Sequence, residues 1–328
     1  MRSPILQGGA HRRRRPRLLP IVLAVFLAAA GASLALRTWP AKGGSEPSGR
    51  AASAPAVARW TAAKLLPPAI PRDLVVARGP MVRTGLGEPL TADAAILVEG
   101  TNGTVLFAKR EHLRLPVAST TKIMTALIAL ERLAPRDVVT IDPAAARAAP
   151  FREGLRPGER VAAWKLFHGL MLYSGNDDAL ALAIASAGSR TAFLRLMNER
   201  ARDLGLRDTK FVSPSGLVDR GNYSTAWDLA AITRHALQNA RFRTIVRTRV
   251  KRVAWAAPTY AKVYVNKNHL LGAYPGADGV KTGWTTLAGH CLVASATRHG
   301  IRLIAVVLGA DDAYADVRRL LDYGFSRR

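Results

Sequence analysis

The stretch VASTTKIMTALIALE, from Val117 to Glu131, decides the fold of this chain. Its apolar residues recur at helical spacing, which predicts a helix from about Thr120 to Leu133. Ser119 lies at or near the start of that helix, and Lys122 follows three residues later. Side chains three residues apart share one face of a helix. We therefore expect Ser119 and Lys122 to be neighbours.

A serine beside a lysine has a chemical interpretation and a structural one. A serine hydroxyl is a weak nucleophile and needs a base. Lysine can be that base only if burial or a nearby cation lowers its pKa from about 10.4. The alternative is a helix-capping serine followed by a solvated lysine. The spacing of Ser119 and Lys122 alone favours this alternative.

A second polar stretch interrupts the apolar helical runs predicted between Trp164 and Ala187. It reads Tyr173-Ser174-Gly175-Asn176. Buried polar side chains need partners, and a hydroxyl with an amide is suited to relaying a proton and holding a substrate carbonyl. The alternative is an ordinary turn between two helices.

A third stretch, DGVKTGWT from Asp278 to Thr285, begins a predicted strand. Lys281 and Thr282 can bind a carboxylate there, and Gly283 lets a substrate backbone lie close to the strand. Lys281 is also a candidate for the cation that lowers the pKa of Lys122. The alternative is an edge-strand lysine before a glycine bulge.

The rest of the chain from about Leu86 predicts an α+β fold. Residues 94–110 indicate a hairpin that turns at Thr101-Asn102-Gly103. The runs GHCLVASAT and IRLIAVVLGA indicate adjacent strands joined by a turn at residues 298–300, and residues 311–325 indicate a closing helix. The order of strands, helices, strands and a last helix predicts an antiparallel sheet flanked by helices, with a mainly helical subdomain.

The N-terminal residues predict export. HRRRRPR is followed by an uncharged apolar run from Leu18 to Leu36, so we interpret residues 1–36 as a signal peptide or a membrane anchor. The positive charge stays in the cytoplasm, and the remainder is exported to the periplasm or cell wall. Residues 37–85, rich in Ala, Pro, Gly and Ser, indicate a flexible linker. Residues 86–328 are then the globular domain, which carries all the candidate catalytic residues.

The formal net charge of +25 favours polyanionic partners. Nucleic acid and an anionic cell envelope both fit the charge. The predicted export segment argues against nucleic acid, so we expect no nucleic-acid partner.

Taken together and in order, the motifs S-x-x-K, S-G-N and K-T-G resemble those of the serine D-alanyl-D-alanine carboxypeptidases, the low-molecular-weight penicillin-binding proteins. The resemblance runs from about Ala94 to Phe325. It includes PVASTTKIMTALIALE, LMLYSGNDDALALA, NYSTAWDLA, YPGADGVKTGWTTLAGHCLVASATRHG and RRLLDYGF. It implies a β-lactamase/transpeptidase-like fold.

The resemblance also implies the reaction. Ser119 attacks the carbonyl between the two terminal D-alanines of a peptidoglycan stem peptide, and Lys122 takes the serine proton. Ser174 resembles the relay to the leaving amine, and Asn176 the ligand of Lys122 and of the substrate amide. Water then deacylates the enzyme without a metal or cofactor. β-Lactam antibiotics acylate the same serine.

The substrate-binding residues are implied in the same way. Lys281 and Thr282 match the positions that hold the terminal carboxylate, with Gly283 beside them. The backbone N–H groups of Ser119 and Trp284 match the oxyanion hole. Trp284 stands where His or Tyr is common. Lys267 stands where some members carry an arginine that anchors the carboxylate.

Two rival functions stay open at this point. A D,D-endopeptidase uses the same chemistry on a larger leaving group, and a non-catalytic protein with this fold could bind anionic wall polymer. Many family members continue into a small β domain and an amphipathic membrane helix. This chain stops after LLDYGFSRR, so any anchor is expected at the N-terminus. Asp177 and Asp178 are interpreted as helix-start charges.

Overall fold

The computed structural model describes residue 86 and residues 89–148, 150–217, 220–255 and 260–327. The predicted export segment at 1–36 and the predicted linker at 37–85 lie outside the described residues. Those two predictions are therefore not tested by the fold.

A five-stranded sheet forms the centre of the fold, and every neighbouring pair of its strands is antiparallel. The spatial order is β2-β1-β9-β8-β7. The strands are β1 (Ala94–Glu99), β2 (Val105–Lys109), β7 (Ala277–Thr285), β8 (Gly289–Arg298) and β9 (Ile301–Ala310). The predicted hairpin at residues 94–110 and the predicted tight turn at residues 298–300 are both confirmed. Because β7 pairs only with β8 in this sheet, its other edge faces the helical part of the molecule.

Eight α-helices accompany the sheet in the described residues. They are α1 (Lys122–Arg132), α2 (Pro143–Ala146), α3 (Ala163–His168), α4 (Asn176–Ala187), α5 (Arg190–Asp203), α6 (Ala226–Ala236), α7 (Ala240–Val246) and α8 (Ala313–Phe325). The α+β arrangement expected from the sequence is confirmed.

No single described helix is long and apolar enough to cross a membrane. The pair α4 and α5 passes on length and composition together but is bent by 85°.

Two small two-stranded sheets and the short helices α2 and α7 were not predicted. The sheets are β3 (Val138–Thr140) with β4 (Arg160–Ala162), and the hairpin of β5 (Val250–Val253) with β6 (Lys262–Val265). The sequence interpretation of a mainly helical middle missed them because strands of three or four residues carry too little periodicity to recognise.

Alternating residues of the sheet supply two separate cores. Ile96 and Val306 belong to the core shared with α1, α4 and α6. Leu97 and Val307 point to the opposite face and pack in the core with α8. Since consecutive strand residues face opposite sides, one sheet holds both layers. The helical layer carries Ser119 and Lys122 against β7.

Candidate active site

Ser119 and Lys122 lie where a short 3-10 helix, Ala118–Thr121, passes into α1. The Nζ atom of Lys122 is 2.9 Å from the Oγ atom of Ser119. Lys122 is fully buried, as are the eight residues that follow it in α1. The predicted proximity of the two side chains is confirmed, and the solvated lysine of the alternative interpretation is wrong.

Two further acceptors hold the Lys122 amine. Its Nζ donates to the Oδ1 atom of Asn176 over 2.8 Å and to the Ser215 carbonyl over 2.9 Å. The Asn176 amide is oriented in turn because its Nδ2 donates to the Pro150 carbonyl over 2.5 Å. A neutral amine has two N–H bonds and one lone pair. When both N–H bonds go to Asn176 and Ser215, the lone pair is left for the Ser119 hydroxyl.

The electrostatics favour that neutral amine. Burial lowers the pKa of Lys122 well below its usual value, and the positive charge of Lys281 lowers it further. Lys281 is itself buried on β7, where its Nζ donates to the Thr282 carbonyl over 2.9 Å. Burial first, and then the charge of Lys267, lower the pKa of Lys281 to about 7.

The break before α4 presents Ser174 to the same cavity. Residues 169–173 form a π-type turn, and Ser174 follows with a φ of +73°, in the left-handed region. Gly175 is extended, and α4 then begins at Asn176. Ser174 lines the cavity near Ser119, and no described residue forms a hydrogen bond with its hydroxyl.

The edge strand β7 forms the opposite wall. A methyl group at Gly283 would stand 3.1 Å from the backbone nitrogen of Ser119 and 3.1 Å from the Val117 carbonyl oxygen. Such contacts are unusually tight, so a larger residue would push the strand and the serine turn apart by a few tenths of an ångström, and glycine permits the close approach. Thr282 and Trp284 flank Gly283 and line the cavity, and Trp284 is 54% exposed at its rim.

The cavity between these walls has a volume of about 520 Å³, and none of the described residues that line it is an aspartate or a glutamate. Lys267 lines it and is exposed, with its Nζ 4.9 Å from the ring centre of Tyr173 and 5.8 Å from that of Phe151. Lys122 and Lys281 do not line the cavity themselves. Lys122 contacts the lining residues Ser119 and Asn176, and Lys281 contacts the lining residue Thr282. In the described residues no group of three or more His, Cys, Asp or Glu side chains could hold a metal ion.

The sequence interpretation missed the loop from Ser213 to Gly216. Its Ser215 carbonyl is the third ligand of Lys122. Gly216 has a φ of +75°, and a methyl group there would stand 1.9 Å from the Ala118 carbonyl oxygen. The only sequence signal was the turn-forming Pro-Ser-Gly at residues 214–216, which says nothing about its partner 93 residues away in the chain.

Asp177 and Asp178 lie in the first turn of α4, as the sequence predicted, but both are fully buried, which the sequence did not predict. The Asp177 carboxylate accepts hydrogen bonds from the backbone N–H groups of Glu153, Gly154 and Leu155. It thereby fixes the segment next to Phe151 at the cavity rim. Asp178 instead lies against Glu153, and burial followed by the charge of Glu153 raises its pKa well above the usual value.

Comparison with known proteins assigns this arrangement to a family. A model of the D-alanyl-D-alanine carboxypeptidase family matches residues 83–312. The chain is 36% identical to D-alanyl-D-alanine carboxypeptidase DacF of Bacillus subtilis over 72% of its own length and 62% of that protein's. It is 38% identical to a D-alanyl-D-alanine carboxypeptidase of Streptomyces over 68% of its length and 84% of that protein's. The crystal structure of the Streptomyces K15 DD-transpeptidase matches with a TM-score of 0.69 and 34% identity, over 73% of this chain and 98% of that one.

Proposed function

Because this chain belongs to the D-alanyl-D-alanine carboxypeptidase family, we propose that it is a serine-type D-Ala-D-Ala carboxypeptidase. It removes the terminal D-alanine from peptidoglycan stem peptides through an acyl-enzyme on Ser119. The observation that carries the proposal is the Lys122 amine, whose N–H bonds are engaged by Asn176 and Ser215 while Ser119 lies 2.9 Å away.

Acylation begins when the Ser119 hydroxyl donates its proton to the neutral Lys122 amine and its oxygen attacks the penultimate carbonyl. The charge that develops on the carbonyl oxygen is held by the backbone N–H groups of Ser119 and Trp284. The tetrahedral intermediate collapses with cleavage of the C–N bond. Ser174 relays the proton to the departing D-alanine amine. Water then attacks the ester and releases the shortened peptide.

The substrate carboxylate is held at the β7 side of the cavity. Thr282 and Lys267 both line the cavity, and the buried Lys281 adds positive charge beside Thr282. The described lining carries a lysine and no acidic residue, which suits an anionic C-terminus, since a carboxylate in the lining would repel it. Gly283 allows the peptide backbone to lie along the free edge of β7.

β-Lactam binding tests the nucleophile. Intact mass spectrometry of the full chain after exposure to benzylpenicillin should give a single covalent penicilloyl adduct, and peptide mapping should find it on Ser119. Ser119→Ala should give none while remaining folded. An adduct on another residue, or an adduct retained by the alanine variant, would overturn the assignment.

The proposal includes the cellular location. We infer that the N-terminal segment directs the chain across the cytoplasmic membrane and either anchors it there or is cleaved. A stem-peptide substrate lies outside that membrane, which supports this location. The N-terminal sequence of the mature protein, read by Edman degradation after expression in a bacterial host, distinguishes an intact anchor from a cleaved signal.

A further inference from the structure

The β5–β6 hairpin, together with the end of α7, carries an unusual charge pattern. Between Asp228 and Asp278 the chain has nine lysines and arginines and no aspartate or glutamate. Arg247, Arg249 and Arg252 are all exposed on this segment. No acidic residue in the described part of the chain forms an ion pair with any of the three.

The same hairpin exposes apolar side chains. Val250 pairs with Val265 across the two strands, and Arg252 pairs with Val263. The three valines are 54%, 57% and 62% exposed, and Tyr260 in the connection between the strands is 82% exposed. These four residues are among only nine large hydrophobic residues exposed in the described chain. Four others, Phe151, Tyr173, Trp284 and Leu287, lie at or next to the cavity.

The inner face of the hairpin packs against the rest of the domain, so the exposed valines of its outer face lie on a well-anchored hairpin. Val253 and Tyr264 are buried. The Lys262 Nζ lies 4.2 Å from the ring centre of Trp255 and 3.7 Å from Glu153. Asn266, directly after β6, donates to the carbonyl groups of Val246 and Thr248 at the end of α7.

We propose that the outer face of the β5–β6 hairpin, formed by Val250, Val263, Val265 and Arg252 with Arg247 and Arg249 beside it, docks on an anionic lipid membrane. Arginines bind lipid phosphates, and exposed apolar side chains enter the interfacial region. Tyrosine favours the same region because its ring is apolar and its hydroxyl is polar.

Other occupants fit the face less well. A second copy of this chain would bring arginine against arginine and repel itself. A soluble polyanion would satisfy the arginines but not the valines. An anionic bilayer surface satisfies both groups at once.

The docking surface adjoins the active site. Lys267 follows β6 by two residues and lines the cavity, and its backbone N–H donates to the Leu172 carbonyl. Two residues span about 7 Å of extended chain. A docked hairpin would therefore hold the cavity close to the lipid surface. This inference goes beyond the proposed function and does not depend on it.

The test uses the full chain with a reporter on the hairpin, so that its signal is separate from any membrane binding by the N-terminal segment proposed above. Val263→Cys is labelled with an environment-sensitive fluorophore; the native Cys291 is buried. The protein is reconstituted into vesicles of phosphatidylcholine alone or with about 30 mol % phosphatidylglycerol. We expect a blue-shifted, brighter emission only with the anionic vesicles, and its loss in about 0.5 M NaCl, where exposed charges are screened.

Matched variants locate the effect. Arg249→Glu with Arg252→Glu should weaken the response at least about tenfold, since each basic residue near an anionic surface contributes severalfold to binding. Arg195→Glu with Arg202→Glu on α5 makes the same change in net charge and should leave the response intact. Val250→Thr with Val265→Thr keeps the charge and should reduce it.

Three results would overturn the inference. The first is a label at position 263 that responds equally to neutral and anionic vesicles. The second is equal loss of the response in the two arginine pairs. The third is the same blue shift with soluble polyphosphate, which would identify a polyanion site instead of a lipid-docking face. Benzylpenicillin acylation of the same samples reports separately on the proposed function.

Discussion

The Oδ1 atom of Asn176 lies 2.8 Å from the Nζ atom of Lys122 and accepts a hydrogen bond from it. This contact joins the first residue of α4 to the first residue of α1. Since an amide is neutral, it binds the amine without stabilising the charged form as a carboxylate would. The Asn176 amide therefore orients Lys122 and still permits it to act as a base.

Changing this amide to a carboxylate should disable the base at neutral pH. In Asn176→Asp, a negative charge beside Lys122 raises the lysine pKa, by about 1–3 units for a close pair. We expect the acid limb of the pH profile for benzylpenicillin acylation to move upward by at least about one unit. Asn176→Ala should slow acylation without that upward movement. An unchanged limb in the aspartate variant would rule out Lys122 as the titrating base.

The charge on Lys281 should set an alkaline limit. A lysine is positive below its pKa, and burial lowers that of Lys281 to about 7. Carboxylate binding is therefore strongest below this pH and weakens as the pH rises through it. We expect kcat/KM for a peptide ending in D-Ala-D-Ala to fall with an apparent pKa near that value. The limb should be absent for the C-terminal amide of the same peptide. If both substrates share the limb, another group is responsible.

Gly283 and Gly216 should separate activity from folding. Gly283→Ala places a methyl group 3.1 Å from the Ser119 backbone nitrogen, where it obstructs an oxyanion donor. Loss of one such donor slows acyl transfer about 100-fold or more, and we expect Gly283→Ala to be slowed by this factor while it remains folded.

Gly216→Ala should instead affect folding. It strains a residue with positive φ, and its methyl group would stand 1.9 Å from the Ala118 carbonyl oxygen. It should lower the free energy of unfolding by about 2 kcal/mol or more. The acylation rate and the urea-unfolding free energy of both variants check these expectations. A Gly283→Ala variant that is acylated at the normal rate would refute the first one.

Asp177 and Asp178 should respond oppositely to amide substitution. Asp177→Asn replaces an oxygen that accepts two backbone N–H groups with a donor. We expect it to cost about 2–3 kcal/mol of unfolding free energy. The carboxyl oxygens of Asp178 and Glu153 have no hydrogen-bond donor in the described residues, so a proton shared between the two carboxyl groups would give both a partner. Asp178→Asn resembles the protonated acid and should preserve stability at neutral pH.

The pH dependence gives a second check on Asp178. An acid whose folded pKa is raised holds its proton in the folded state after the unfolded state has lost it. Stability therefore falls as pH rises from the unfolded value near 4 toward the folded pKa. Asp178→Asn should flatten this part of the urea-unfolding profile. A profile identical to that of the unsubstituted protein would mean that Asp178 does not titrate in this range.

Local patterns predicted most of the fold. The hairpin at residues 94–110, the strands β8 and β9 and the helix α8 have clear periodicity and turn residues. The five-strand order could not be read from them, because β1 pairs with β9 across about two hundred residues. The hairpin β5–β6 was not recognised because each of its strands has only four residues, and its outer face carries valines and an arginine together.

The site was only partly accessible to sequence reasoning. Ser119, Lys122 and Lys281 belong to motifs with a chemical rationale, and the sequence anticipated that Lys281 would lower the pKa of Lys122. The Ser215 carbonyl was not found because backbone groups carry no sequence signature. The burial of Asp177 was not predicted, because charge at a helix start has a sufficient local explanation and the burial depends on a loop more than twenty residues earlier.

The most direct test of the central claim is release of D-alanine from a diacyl-L-Lys-D-Ala-D-Ala peptide by the full chain, with Ser119→Ala as the control. We predict that the protein releases one D-alanine per peptide at neutral pH, and that the Ser119→Ala control releases none. A penicilloyl adduct on Ser119 without D-alanine release would contradict the carboxypeptidase assignment and direct attention to cross-linked peptides as substrates. If a folded protein gave no D-alanine release and no penicilloyl adduct, that result would contradict the serine mechanism itself.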